Sequence, residues 1–160
     1  YVYSHFGYNL KATDLQAAIG VAQIDKLDDF TRKRRQNFQY IHDRLDGLSK
    51  WLVMPSCLPE STPSWFGFLI QIAEDAPFTR NDITQYLESR NIQTRNLFSG
   101  NITRHPLMDS LTVKDYKIIG NLKNTDSIMN NSFWLGVYPG MNENKLQYMV
   151  DELLLYVEKF

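Results

Sequence analysis

Three short stretches of the chain gather polar and aromatic groups where a simple core would not need them. SHFGYN, residues 4–9, sets Gly7 between Phe6 and Tyr8 and places Asn9 just ahead of a helical segment. There an amide can meet an anion beside the free N–H donors of a helix N-terminus, although an ordinary helix cap would use the same residues. TRNLFSGN, residues 94–101, leaves a strand with Arg95 and closes on Ser99, Gly100 and Asn101. A guanidinium grips phosphate or carboxylate through two parallel hydrogen bonds; a salt bridge at the rim is the plainer use. NTDSIMNNSFWLGVYPG, residues 124–140, sets asparagines and Trp134 around a short helix and strand, which caps and a buried aromatic would also explain.

What is missing narrows the chemistry. The chain has no GxxxxGK[ST] phosphate loop, no GxGxxG, no GxSxG and no HExxH. His5, His42 and His105 fall in different elements, and no Cys/His spacing suggests a metal site. No catalytic residue is assigned within the chain. Cys57 is the single cysteine, so an internal disulfide is impossible and a reducing, cytoplasmic setting is expected. The formal charge of -1 gives no single-sign field for nucleic acid. The basic run from Arg32 to Arg35, beside Asp25, Asp28 and Asp29, reads as a solvated helix face. No apolar run approaches the roughly twenty residues a membrane helix needs. The first residue is Tyr1, not methionine, which predicts a fragment of a longer protein.

The elements that must position these stretches follow from spacing. Thr13 caps a helix whose apolar residues recur from Leu15 through Leu45, ending at Asp46-Gly47 with glycine as a left-handed cap. Ala17, Ala18, Gly20 and Ala22 make its first half thin, suited to core packing or to a subunit interface. Residues 51–54, 64–72, 92–95 and 133–138 read as strands, with 64–72 the strongest. Thr79 caps a helix over 80–90, Thr125 one running to Asn131, and Asn142 a last helix with a stripe from Leu146 to Val157. Residues 96–121 read mostly as loop. This alternation predicts an α+β fold, a small, largely antiparallel sheet with helices on one face and a long N-terminal helix.

Taken together, SHFGYNLKATDLQAA, PSWFGF (63–68), TRNLFSGN and NTDSIMNNSFWLGVYPG resemble the DegT/DnrJ/EryC1/StrS group of sugar aminotransferases and dehydratases over essentially the whole chain. Within it they are most similar to the branch of CDP-4-keto-6-deoxyglucose 3-dehydratases of lipopolysaccharide synthesis. The resemblance implies the C-terminal small domain of a fold-type-I enzyme, with residues 1–47 as a cofactor-completing arm and linking helix and 48–160 as the small domain. It implies a homodimer in which Asn9, with Tyr8 and His5, reaches the pyridoxal or pyridoxamine phosphate of the partner subunit. Arg95, Asn101 and Trp65 would then meet a nucleotide-sugar substrate.

The implied chemistry is loss of the C3 hydroxyl from a 4-keto sugar, with the cofactor's pyridinium ring as electron sink. A histidine replacing the usual lysine, and the cysteines of a 2Fe–2S cluster, would lie upstream of Tyr1; Cys57 matches none of those cysteines. A reductase would supply electrons. A related sugar aminotransferase, carrying lysine upstream, is the near alternative. A non-catalytic ligand- or partner-binding module is the distant one.

Overall fold

Thr13 starts the first helix through a reciprocal cap. Its Oγ1 accepts from the Gln16 N–H at 3.4 Å, and the Gln16 side chain accepts from the Thr13 N–H at 2.9 Å, opening α1 (Asp14–Ile24). The computed structural model describes residues 8, 10–48, 50–112 and 114–160. In it the single long helix expected from Thr13 onward does not form. The Lys26 N–H bonds back only three residues to the Gln23 carbonyl at 3.0 Å, and α2 (Leu27–Leu45) starts afresh. The apolar stripe skips from Ala22 to Leu27 across Asp25 and Lys26. In addition, α1 buries no residue while α2 buries Phe38, Ile41 and Leu45, so no common surface holds the two in line. Gly47 is not left-handed either; the chain tightens into a 3-10 turn, Asp46–Leu48.

Four antiparallel strands follow, β1 (Leu52–Val53), β2 (Gly67–Ile72), β3 (Thr94–Asn96) and β4 (Ser132–Gly136), in the spatial order β1-β2-β4-β3. The Thr79 cap opens α3 (Arg80–Ser89), and Asn142 opens α5 (Glu143–Val157) by accepting from the Lys145 N–H at 3.0 Å. Between β3 and β4 lie two 3-10 segments, Ile102–Arg104 and Pro106–Ser110, and α4 (Lys123–Asn131). Thr125 does not cap α4 but sits inside its first turn. The cap position is Leu122 in left-handed conformation (φ 53°), and the Asn121 side chain accepts from the Lys123 N–H at 3.0 Å.

Register decides which side chains share a face. Phe68 pairs with Leu135 and Ile70 with Phe133; all four are buried, and with α2, α3 and α5 they form the core. Because α2 contributes to this same core, the packed unit begins at α2 and α1 stands outside it. The alternate residues of the strands face the other way, and α4 lies at one end of that second face, where Ser127 Oγ accepts from Gln71 Nε2 at 3.2 Å. The helices are thus not all on one face.

The basic run of α2 divides its work. Arg32 and Lys33 pair with Asp29 at the exposed surface. Arg34 Nη1 instead donates to the Trp65 carbonyl at 3.0 Å and the Val137 carbonyl at 2.5 Å, and Arg35 reaches the Thr62 and Pro63 carbonyls. Asn37 adds a hydrogen bond to the Tyr138 carbonyl at 2.9 Å. These bonds fix the chain just before β2 and just after β4.

Candidate functional site

The second face of the sheet carries a row of three paired residues: Leu69 on β2, Trp134 on β4 and Arg95 on β3. Gly67, next along β2, has no side chain because none fits: a Cβ there would lie 2.6 Å from Trp134 Cε3 and 3.1 Å from the Leu135 carbonyl. The indole therefore lies flat on the strand. Phe66 tilts against it at 5.0 Å between ring centroids and Phe98 at 6.5 Å, while both phenyl rings stay mostly exposed. Together with Leu97 they line an apolar cavity of about 220 Å³. Ligand pockets span roughly 300–1,000 Å³, so this is one wall with room for a ring and not for a whole nucleotide sugar. Trp134 Nε1 is buried without an acceptor among the described residues, a donor that a ligand or a further segment would satisfy. Gly67→Ala is expected to lift the indole at a cost of about 1–3 kcal/mol, read as a lower urea midpoint and a changed near-ultraviolet dichroism of tryptophan.

The loop after β3 brings Phe98 to this wall. Phe98 has φ 39°, in the left-handed region that a bulky residue rarely occupies, and Gly100 follows at φ 58°, packed so closely on Met129 of α4 that a Cβ would overlap it. Asn101 is 2% exposed; its Oδ1 accepts from Thr103 N–H at 3.1 Å and Thr103 Oγ1 at 2.7 Å, and its Nδ2 donates to Asp126 Oδ1 at 2.6 Å. Arg104 forks onto the same carboxylate, Nε to Oδ1 at 3.1 Å and Nη2 to Oδ2 at 2.7 Å. Hydrogen bonds from Arg104 and then Asn101 hold the Asp126 carboxyl below its usual range. A carboxylate with a lowered folded pKa contributes stability that is complete above the ordinary carboxylate value and lost as pH falls through the lowered one. The ties from Asp126 to the loop are therefore in place at neutral pH and weaken as pH falls through that lowered value.

The residues singled out in the sequence fall into separate places. Arg95 is exposed on the second face, beside Trp134 and without a hydrogen bond or ion pair among the described residues. Trp65 lines the cavity yet stacks its ring on core Phe38 at 3.9 Å, so it backs the wall. Asn101 holds the loop from within. Tyr8 is 91% exposed ahead of α1, and His5 and Asn9 lie outside the described residues. Phe66, Phe98 and Asp126 were not separated from their neighbours in the sequence; the alternation of β2 and β4 could have marked Leu69 and Trp134 as sharing Arg95's face, but Phe66 and Phe98 lie outside those strands and no periodicity reaches them.

No group of three histidine, cysteine, aspartate or glutamate side chains among the described residues is placed to hold a metal ion, and no described helix is long and apolar enough to cross a membrane. Nor do the described residues form a cup for a phosphorylated pyridine cofactor: the second face offers Arg95 alone as a cation beside apolar rings, and Tyr8 stands free in solvent. No chemical step is therefore assigned to such a group through them.

Residues 1–154 match the DegT/DnrJ/EryC1/StrS aminotransferase family. A dTDP-4-dehydro-2,6-dideoxy-D-glucose 3-dehydratase of Saccharopolyspora spinosa is 46% identical across 99% of this chain and 34% of its own length. The lipopolysaccharide biosynthesis protein RfbH of Salmonella typhimurium is 41% identical across 95% of this chain and 34% of its own length. Relatives named as transaminases are more distant. Among solved structures, GDP-4-keto-6-deoxymannose-3-dehydratase with a trapped PLP-glutamate geminal diamine superposes with a TM-score of 0.85 at 25% identity, over 95% of this chain and 38% of the other. The chain thus spans about a third of the length of the curated relatives it matches.

Proposed function

Because the chain belongs to the DegT/DnrJ/EryC1/StrS aminotransferase family, we propose that it is the small C-terminal domain of a nucleotide-sugar 3-dehydratase, which removes the C3 hydroxyl of a nucleotide-linked 4-keto-6-deoxyhexose. The product would be a 3,6-dideoxysugar of the kind built into lipopolysaccharide. The observation that carries this reading is that relatives named as 3-dehydratases are 46% and 31% identical, whereas one named as a transaminase is 26% identical.

In this reading the second face of the sheet is the wall of the substrate cleft. Arg95 takes an anionic oxygen of the nucleotide's diphosphate through its planar fork. Trp134, Phe66 and Phe98 offer ring faces to the apolar side of the sugar or base and exclude water from it. Trp65 stiffens that wall from behind. Asn101 serves it by holding the loop and not by touching substrate.

Most of the site for pyridoxamine or pyridoxal phosphate, the catalytic base and the ligands of any 2Fe–2S cluster would come from protein outside the described residues. Asn9, with His5 and Tyr8, is proposed to reach the cofactor phosphate of a second subunit in a cytoplasmic homodimer, with a reductase as electron donor. The bareness of α1 supports that proposal: Leu15, Ile19 and Ile24 are each more than half exposed. An isolated helix shorter than about 12–15 residues is marginal in water, so 11 residues with nothing buried call for a partner surface.

The test supplies the complete protein with pyridoxamine phosphate, a reductant and the dTDP-, CDP- or GDP-linked 4-keto sugar, and weighs the product. The expected product has lost the C3 oxygen. A product that keeps that oxygen and gains an amino group at C4 overturns the dehydratase reading in favour of the aminotransferase.

A further inference from the structure

We propose that Asp126 is a positioning residue of the substrate cleft, the latch through which α4 holds Phe98 against the Trp134 wall; this rests on the reading of that wall as the substrate's. The chain of contacts is continuous. Gln71 on the second face of the sheet donates to Ser127 and so seats α4. Asp126, the neighbouring residue, accepts from Asn101 and from both ends of the Arg104 fork, so one carboxylate ties two residues of the loop. Met129, one helical turn further along the same face of α4, lies under Gly100 and bars any side chain there. The loop is thus clamped at Gly100, Asn101 and Arg104, immediately after Phe98.

A phenylalanine at φ 39° with its ring 80% exposed gains neither comfort nor burial from its position. Such a conformation persists only where the surroundings over-determine it. Among the described residues, every side-chain hydrogen bond that leaves residues 97–105 runs to α4 and ends on the Asp126 carboxylate. The carboxylate touches no part of the cavity itself; it acts through Asn101 and Gly100 on where the ring stands. A ring that only walls the cleft contacts ground state and transition state alike, so its displacement weakens substrate capture and leaves the chemical step nearly unchanged.

Asp126→Ala, Asp126→Asn and Asp126→Glu in the complete protein test this, with steady-state kinetics on dTDP-4-keto-2,6-dideoxyglucose and hydrogen exchange over residues 97–105. Asp126→Ala is expected to raise KM roughly 10- to 100-fold while kcat changes less than about threefold, with exchange quickened in the loop and unchanged in β2 and β4. Asp126→Glu, which keeps the carboxylate, is expected to restore part of the KM loss, and Asp126→Asn less of it. Unchanged KM with a quickened loop overturns the proposal, and so does unchanged exchange. Equal loss of kcat and of global protection in all three variants also overturns it, by making Asp126 a general stabiliser. A wild type that turns over none of the dTDP-, CDP- and GDP-linked sugars defeats the functional reading alone; the latch then falls if the loop exchanges at the same rate in Asp126→Ala as in wild type.

Discussion

Replacing Arg95 by alanine in the complete protein is expected to lower kcat/KM for the nucleotide-linked 4-keto sugar by roughly 100- to 1,000-fold, the scale of losing a charge-assisted bidentate contact in a desolvated cleft. Its thermal midpoint should hardly move. Arg95 has no hydrogen bond or ion pair among the described residues, and its backbone pairing with Trp134 survives any side chain. Substitutions at exposed positions without such partners usually fall within about 0.5 kcal/mol. Arg95→Lys should recover little, since an ammonium cannot reproduce the planar fork. Steady-state kinetics beside a thermal melt separate the outcomes: an unchanged kcat/KM would remove Arg95 from the cleft, and a large drop in melting temperature would make it structural.

Phe133→Ala is expected to have the opposite signature, a loss of about 3–5 kcal/mol of stability. The ring is fully buried in β4, the strand flanked on both sides, where Phe133 stands between Ile70 and Asn96. Domains hold only about 5–15 kcal/mol in total, so this one truncation takes a large part of it. Urea denaturation should show a lower midpoint with an unchanged slope. A loss below about 1 kcal/mol would mean that the core around β4 is looser than its burial indicates.

The capping residues were legible because their signal is local. Thr13, Thr79 and Asn142 each stand just before a helix and accept from its first turn, as their side-chain chemistry dictates. The stripe of α5 was equally legible, from Leu146 through Val157. The helix break at Asp25 and Lys26 was not, because neither glycine nor proline marks it and only the gap in the apolar stripe betrays it. Thr125 has a good capping side chain but lies one turn too late, since Leu122 takes the left-handed position that no propensity favours. Arg34 and Arg35 looked like their exposed neighbours Arg32 and Lys33; their carbonyl partners lie 27 or more residues away in sequence, beyond any periodicity.

The site divides along the same line. Arg95 was found from its charge and its place at the end of a strand. The identity of its companions depends on register, because a shift of one residue would have put Phe133 beside it and hidden Trp134. Asn101 drew notice as a polar group in a loop, yet its amide faces inward to Asp126, a contact set by how α4 folds back on the sheet. Tyr8 stands in solvent, and the arm around Asn9 is expected to act on a surface that this chain does not itself supply.

The most direct test of the wall is a structure of the complete protein with dTDP bound. The Arg95 guanidinium should lie within hydrogen-bond distance of a diphosphate oxygen, with a ring of the ligand, or the space for its sugar, against Trp134 and Phe98. Finding that face covered by the protein's own chain, with an acceptor from that chain on Trp134 Nε1 and the nucleotide bound elsewhere, would contradict it.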